Sequence, residues 1–271
     1  MARMASVPMG QIMLICGVGS MAVIFLASAL RGKLDRLQPH RPIGLLAIGL
    51  CQVASFSFWM LALPLLPLAN MYVVSFMAPM AVAILAVVFL KEPLGWKRAA
   101  SIFAGFVGVV VAVNPSTLSA HGGGLIPYLF LFGNMAASAL LMFLLRVVAD
   151  KESSESTSFY ARAALAVGGL VLCAATGFVA MKPHIFLALC GSGALGGAGW
   201  TLLAEAYKNA PAASVAPFQY SELILGAVLG YLIWSDVPSV WLLCGAAIIV
   251  ASGLSLIRHE RRASRTMMRA G

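Results

Sequence analysis

Hydrophobic positions in this chain gather in long unbroken runs. They do not alternate with polar ones. Nine runs can be marked, at roughly 9–30, 42–66, 70–90, 96–113, 125–147, 158–180, 185–207, 213–234 and 239–257. Each is about 18–25 residues long, the length an α-helix needs to cross a hydrocarbon layer. Lipid offers backbone N–H and C=O groups no partner, so a run of this kind is stable there only as a helix. The pattern predicts an all-α integral membrane protein of nine transmembrane helices.

Composition agrees with the pattern. The chain is 61% hydrophobic and 10% charged, whereas a soluble domain carries about 25% charged residues. The net charge of +9 raises the question of nucleic acid. The placement of the charges argues against that partner, because most lie in the gaps between runs. Arg31, Lys33, Arg36 and Arg41 fill the first gap, Lys91, Lys97 and Arg98 the third, Arg146 and Lys151 the fifth, and Lys208 the seventh. The second, fourth and eighth gaps hold none, and the sixth holds Lys182 alone. Arg258, Arg261, Arg262, Arg265 and Arg269 follow the last run. By the positive-inside rule the odd gaps and the C-terminus are cytoplasmic. The N-terminus then lies outside, where Arg3 is its one basic residue.

The gap DKESSES (150–156) reads as a solvated loop, and RHERRASRTMMRAG (258–271) as a disordered basic tail that touches anionic lipid. Arg162 falls one turn inside its run and is expected to snorkel to the interface. Residues 9–30 lack the cleavage site of a signal peptide. The five cysteines sit in five different runs, and no histidine pair has metal-ligand spacing. No metal and no cofactor is expected.

One block occurs twice. LALPLLPLANMYVVSFMAPMAVAILAVVFLKEPL (61–94) matches EAYKNAPAASVAPFQYSELILGAVLGYLIWSDVP (205–238) at an offset of 144, which places Ala62 on Ala206, Pro67 on Pro211, Ala69 on Ala213 and Glu92 on Asp236. The gap at Pro67 is external and the one at Pro211 cytoplasmic, so the repeats have inverted topology, a common transporter design. The division is 1–116 with four helices, 122–258 with five, and a tail at 259–271.

Polar residues inside the runs are the candidates for chemistry. Glu222 is the most costly, at roughly 2.5–3.5 kcal/mol on insertion scales for similar charges. It shares a helical stripe with Val215, Gln219, Gly226 and Gly230. It can pair with a substrate ammonium or couple transport to a proton; the alternative is a structural hydrogen bond between helices. Its counterpart at the 144 offset is Ala78, so the carboxylate is not repeated. Further polar or aromatic stripes are Gln52, Ser55, Phe56 and Trp59; Tyr72, Ser75 and Pro79; and Asn134 with Ser138. Trp200 extends the smooth face of Gly193 and Gly197. Together they suggest a central polar cavity for a small organic molecule; singly, each is equally readable as interhelical packing. Pro79 and Pro217 are positioned to break their helices. GSGALG (191–196) spells a dinucleotide motif, but it lies inside a spanning run and reads as helix packing.

The segments LPLANMYVVSFMAPMAVAILAVVFLKEPLGWKRAASIFAGFVGVVVAVNPS (66–116) and APAASVAPFQYSELILGAVLGYLIWSDVPSVWLLCGAAIIVASGL (210–254) resemble the EamA type of the drug/metabolite transporter superfamily. Each has a small-residue cap, an apolar helix, an acidic end and a glycine-bearing helix. The resemblance implies ten helices in two five-helix repeats, with a central substrate cavity. The sequence departs from it by lacking the first helix, either through a late start at an internal methionine or as a nine-helix variant. It implies a bacterial inner-membrane transporter of a small metabolite, such as an amino acid, S-adenosylmethionine or a riboflavin-like compound, working by alternating access. Its partners are then that substrate and the lipid bilayer, and a homodimer is a possible assembly. Two other readings remain: a non-transporting remnant or partner subunit, and an intramembrane enzyme. The sequence offers the enzyme neither the acidic cluster for magnesium nor the His and Arg cluster for phosphate.

Overall fold

A computed structural model describes residues 7–66, 68–75, 77–90, 96–113, 125–148, 151–209, 225, 228–229, 231–233 and 239–270. The described residues are helical or turn and contain no strand. The helices are α1 (Met9–Leu30), α2 (Pro42–Ala62), α3 (Leu68–Ser75), α4 (Ala78–Leu90), α5 (Trp96–Val113), α6 (Ile126–Val148), α7 (Ser154–Thr176), α8 (Pro183–Asn209) and α9 (Val240–Ala270). Six segments are long and apolar enough to cross a membrane: Met9–Leu30, Pro42–Ala62, Met71–Phe89, Ile126–Leu145, Ser154–Thr176 and Pro183–Leu203. Ala99–Ala112 and Val240–Ser255 are shorter apolar stretches. Large apolar side chains are exposed on many of these helices, with Ile43 84% and Leu195 76% open. Lipid is the solvent that suits such a surface.

Local chemistry sets the helix boundaries. Pro42 and Pro183 open their helices, where a missing N–H costs nothing. Pro79 has no N–H to offer the carbonyl of Ser75, and the predicted helix 70–90 is divided there into α3 and α4. Gly177 ends α7 at φ 83°, a left-handed cap, and its N–H reaches Cys173 O at 2.8 Å.

Two expectations fail here. DKESSES is not a solvated loop. The Ser153 hydroxyl accepts from Ser156 N at 2.9 Å and caps α7, which therefore starts at Ser154. Glu152 and Glu155 are both buried. The basic tail is helical as far as Ala270, because α9 runs on from the apolar stretch without interruption.

The chain forms two compact units. Unit 1 holds Met1–Met60 and Leu140–Asn209. Within it α1 packs on α7 and α8 through small residues. A Cβ on Gly17 would stand 2.7 Å from Ala166 N, one on Gly10 2.9 Å from Cys173 N, one on Gly193 2.7 Å from Cys16 O and one on Gly197 2.8 Å from Ser20 Cα. No Cβ tolerates such distances, so each glycine is what lets the backbones approach. Apolar burial adds little between helices in lipid, where close packing and hydrogen bonds hold them. Ser20 Oγ donates to Gly193 O at 2.7 Å, and Gln11 Nε2 donates to Val179 O at 3.0 Å. GSGALG thus serves as a helix contact. The segment between α1 and α2 is held against the start of α7. Glu152 Oε1 accepts from His40 N at 2.6 Å and from Arg41 N, Arg36 pairs with Glu155 at 3.2 Å, and Ser153 Oγ donates to Arg36 O.

Unit 2 holds Leu61–Ala139 and Ala210–Gly271. There α5 and α9 pack antiparallel. Gly105 faces Ser252, with its Cβ position 3.2 Å from Ser252 Oγ, and Gly108 faces Ile249 at 2.8 Å. A Cβ on Gly245 would lie 2.5 Å from Ala112 N. Ser101 Oγ donates to Ser255 Oγ at 3.2 Å. Unit 1 and unit 2 each draw helices from both halves of the sequence.

Candidate functional site

In unit 1, α2 carries Gln52 and Ser55, both buried, and Trp59, half-buried one turn further on. Gln52 Oε1 has no hydrogen-bond partner among the described residues. Trp200, half-buried on α8, packs against a cluster of Ile48, Leu141, Val148 and Ala161. In unit 2, Ser75 at the end of α3 donates to Asn134 Oδ1 on α6 at 3.1 Å. This joins two residues that sequence reasoning had placed on separate stripes. Asn134 is buried, while Tyr72 on α3 and Ser138 on α6 are half-buried. Glu222, Gln219 and Pro217 lie outside the described residues.

Arg162 was missed as a site residue. It does not snorkel out to the start of α7. It stands eight residues past Ser154, about 12 Å along the axis at 1.5 Å per residue. Its guanidinium carbon lies 5.3 Å from the centroid of the Trp200 ring. That is a cation–π contact, which compensates a desolvated cation in part. Arg162 Nε is buried without a hydrogen-bond partner among the described residues. Ser158, one turn earlier on the same face, is fully buried, and its Oγ also lacks a hydrogen-bond partner among the described residues. The sequence signal was present: a cation well inside an apolar run marks a functional group unless it reaches the interface.

Comparison with known proteins fixes the context of these residues. The model of the EamA-like transporter family matches residues 3–114 and again 125–258. The chain belongs to the EamA-like transporter family.

An S-adenosylmethionine uptake transporter of Rickettsia bellii is 32% identical to this EamA-like chain over 232 residues, covering 84% of the chain and 77% of the relative. A riboflavin transporter of Brucella anthropi is 27% identical over 218 residues, covering 79% and 75%. A crystal structure with 22% sequence identity shares the fold at a TM-score of 0.63, covering 94% of this chain and 90% of its own. The EamA-like chain is a multi-pass membrane protein and a transporter of small metabolites, not an enzyme. The polar side chains within its spans are therefore to be read as contacts for a solute or as fastenings between helices. The Ser75–Asn134 bond joins α3 to α6. Gln52, Ser158 and Arg162 present buried polar atoms that the described protein leaves unanswered.

Proposed function

We propose that this EamA-like protein carries a small organic metabolite across the bacterial inner membrane by alternating access between two inverted repeats, with its C-terminus in the cytoplasm. The substrate belongs to the class of amino acids, S-adenosylmethionine or riboflavin-like compounds, in keeping with the names of its relatives. The nine predicted spans divide four and five between the repeats. Glu222, Gln219, Gln52, Trp59, Tyr72 and Ser138 are the proposed contacts, together with Ser55, Ser75, Asn134 and Trp200.

The observation that carries the inverted repeat is a symmetry in the contact between α5 and α9. Under the 144-residue offset found in the sequence, a Gly105–Ser252 contact exchanges into Gly108–Ile249, and both contacts are present. The two helices also run antiparallel, as inverted counterparts do. Orientation has separate support. The first and fifth gaps, which the Lys and Arg pattern assigns to the same side, are joined by the Arg36–Glu155 and Glu152–His40 contacts.

Uptake of radiolabelled S-adenosylmethionine and of radiolabelled riboflavin into proteoliposomes, at two pH values, tests this reading. Saturable uptake of one of them above protein-free vesicles is expected. Absence of uptake for both, with no thermal shift by either, refutes the substrate class. Equal transport by Glu222→Gln and wild type at both pH values removes proton coupling through Glu222.

A further inference from the structure

We infer that Arg162, backed by Trp200 and Ser158, is the subsite that receives a substrate carboxylate, so that the transported metabolite is a carboxylate-bearing solute rather than a neutral ring compound. The inference rests on the transporter reading above and narrows its substrate class.

Three observations carry it. The Arg162 guanidinium carbon lies over the Trp200 ring, 5.3 Å from its centroid. Its Nε is buried without a hydrogen-bond partner among the described residues, and Arg162 forms no ion pair among them. Beside it on the same helix face, Ser158 is 0% exposed, and its hydroxyl is equally unpartnered.

A partly buried guanidinium within a span, without a counter-charge among the described residues, is costly for a membrane protein to hold. Glu155, seven residues earlier on α7, pairs through Oε1 with Arg36 at 3.2 Å and forms no ion pair with Arg162. No anion among the described residues supplies the missing charge, and a solute is assigned to supply it. A guanidinium over an aromatic ring with its Nε unpartnered among the described residues suits a carboxylate, which accepts two parallel N–H bonds. The Ser158 hydroxyl supplies a further donor from the same side. A lone arginine suits a singly charged planar group better than a phosphate, whose charge calls for several cations or a metal.

The two relative classes divide on this point. S-adenosylmethionine carries an α-carboxylate beside its ammonium, and riboflavin carries none. The test is competition against radiolabelled S-adenosylmethionine uptake in proteoliposomes. The competitors are unlabelled S-adenosylmethionine and its decarboxylated analogue, which retains the sulfonium, the adenosine and the amine. In wild type the decarboxylated analogue should compete roughly tenfold worse or more, the size of one charge-assisted pair. R162Q should weaken S-adenosylmethionine by a similar factor and leave the analogue within about twofold, closing the gap. R162K keeps the charge without the fork and should fall between.

Equal competition by both compounds in wild type overturns the inference without needing any variant. So does an R162Q protein that loses both compounds by the same factor, the mark of a structural role. Uptake of riboflavin with no uptake of S-adenosylmethionine overturns the carboxylate subsite and leaves the transporter reading standing. Wild-type protein that moves neither probe overturns both.

Discussion

Replacing Glu152 by alanine removes the carboxylate that holds the α1–α2 segment against the start of α7. The size of the effect follows from the contacts. Glu152 Oε1 accepts from two backbone donors, His40 N at 2.6 Å and Arg41 N. Hydrogen bonds to a charged group contribute about 1.5–3 kcal/mol each, which puts the gross loss at roughly 3–6 kcal/mol. Part of this is recovered. Glu152 Oε2 is buried without a partner, and removing it relieves a desolvation cost of about 1–3 kcal/mol. The two freed N–H groups are also near water, since His40 and Arg41 are exposed. A net local destabilisation of about 2–4 kcal/mol follows, equivalent to a roughly 30- to 1000-fold rise in the open population of the segment.

That segment carries Lys33, Arg36 and Arg41, so trypsin reports the opening directly. When opening and closing are fast, cleavage tracks the open population. Glu152→Ala should therefore be cut between residues 33 and 41 much faster than wild type in detergent, and Glu152→Gln, which keeps an acceptor at Oε1, only moderately faster. Lys151→Ala, a change at an exposed neighbour, serves as the control. Tryptic rates for Glu152→Ala within about twofold of Lys151→Ala, a difference of only about 0.4 kcal/mol, would refute the account of a buried carboxylate anchoring two backbone donors.

The remaining predictions concern packing between helices. Gly245→Val should lower the thermal stability of the purified protein by about 3 kcal/mol, the upper end for overpacking, because the new side chain meets Ala112 N and Gly108 O, backbone atoms that cannot turn aside. Gly199→Val, with nothing within 4 Å of its Cβ position, should change stability by less than about 1 kcal/mol; equal losses at both sites would contradict the packing assigned to α5 and α9. A double-mutant cycle of Ser75→Ala and Asn134→Ala should return a coupling of about 0.6 kcal/mol, the average for hydrogen bonds between helices in a membrane protein. A coupling indistinguishable from zero would show that the 3.1 Å bond contributes nothing.

What was legible in the sequence was what lipid dictates locally. Six of the nine predicted spans follow from run length, the break between α3 and α4 from Pro79, and the contact face of α8 from Gly193 and Gly197 at helical spacing. What was not legible depended on partners distant in the chain. DKESSES looks solvated because its charges are dense, and nothing local indicates that Glu152 will meet backbone donors 112 and 111 residues away. The tail looked disordered for the same reason, although residues 254–270 contain no glycine or proline and consist largely of good helix formers. Arg162 was misplaced through an error in a boundary. Ser153 caps α7 five residues before the apolar run begins, so the arginine sits further along its helix than its distance from the run's edge implied.

Glu152 and Arg162, both charged residues of unit 1, differ in a way that bears on scaffold and site. Glu152 is neutralised by fixed groups: two backbone N–H donors, with His40 Nδ1 at 3.8 Å. Nothing mobile is needed to satisfy its paired oxygen, so its role is to fasten. Arg162 has an aromatic face and no fixed anion among the described residues. The aromatic ring compensates its charge only in part. Under the 144-residue offset its counterpart is Val18, as that of Glu222 is Ala78. A repeated scaffold can supply the two faces that alternate, but a substrate with a distinct acidic end needs a cation that occurs once. On that ground, unpaired charges without a counterpart in the other repeat are where solute recognition is to be sought, and Arg162 meets both conditions within the described part of the chain.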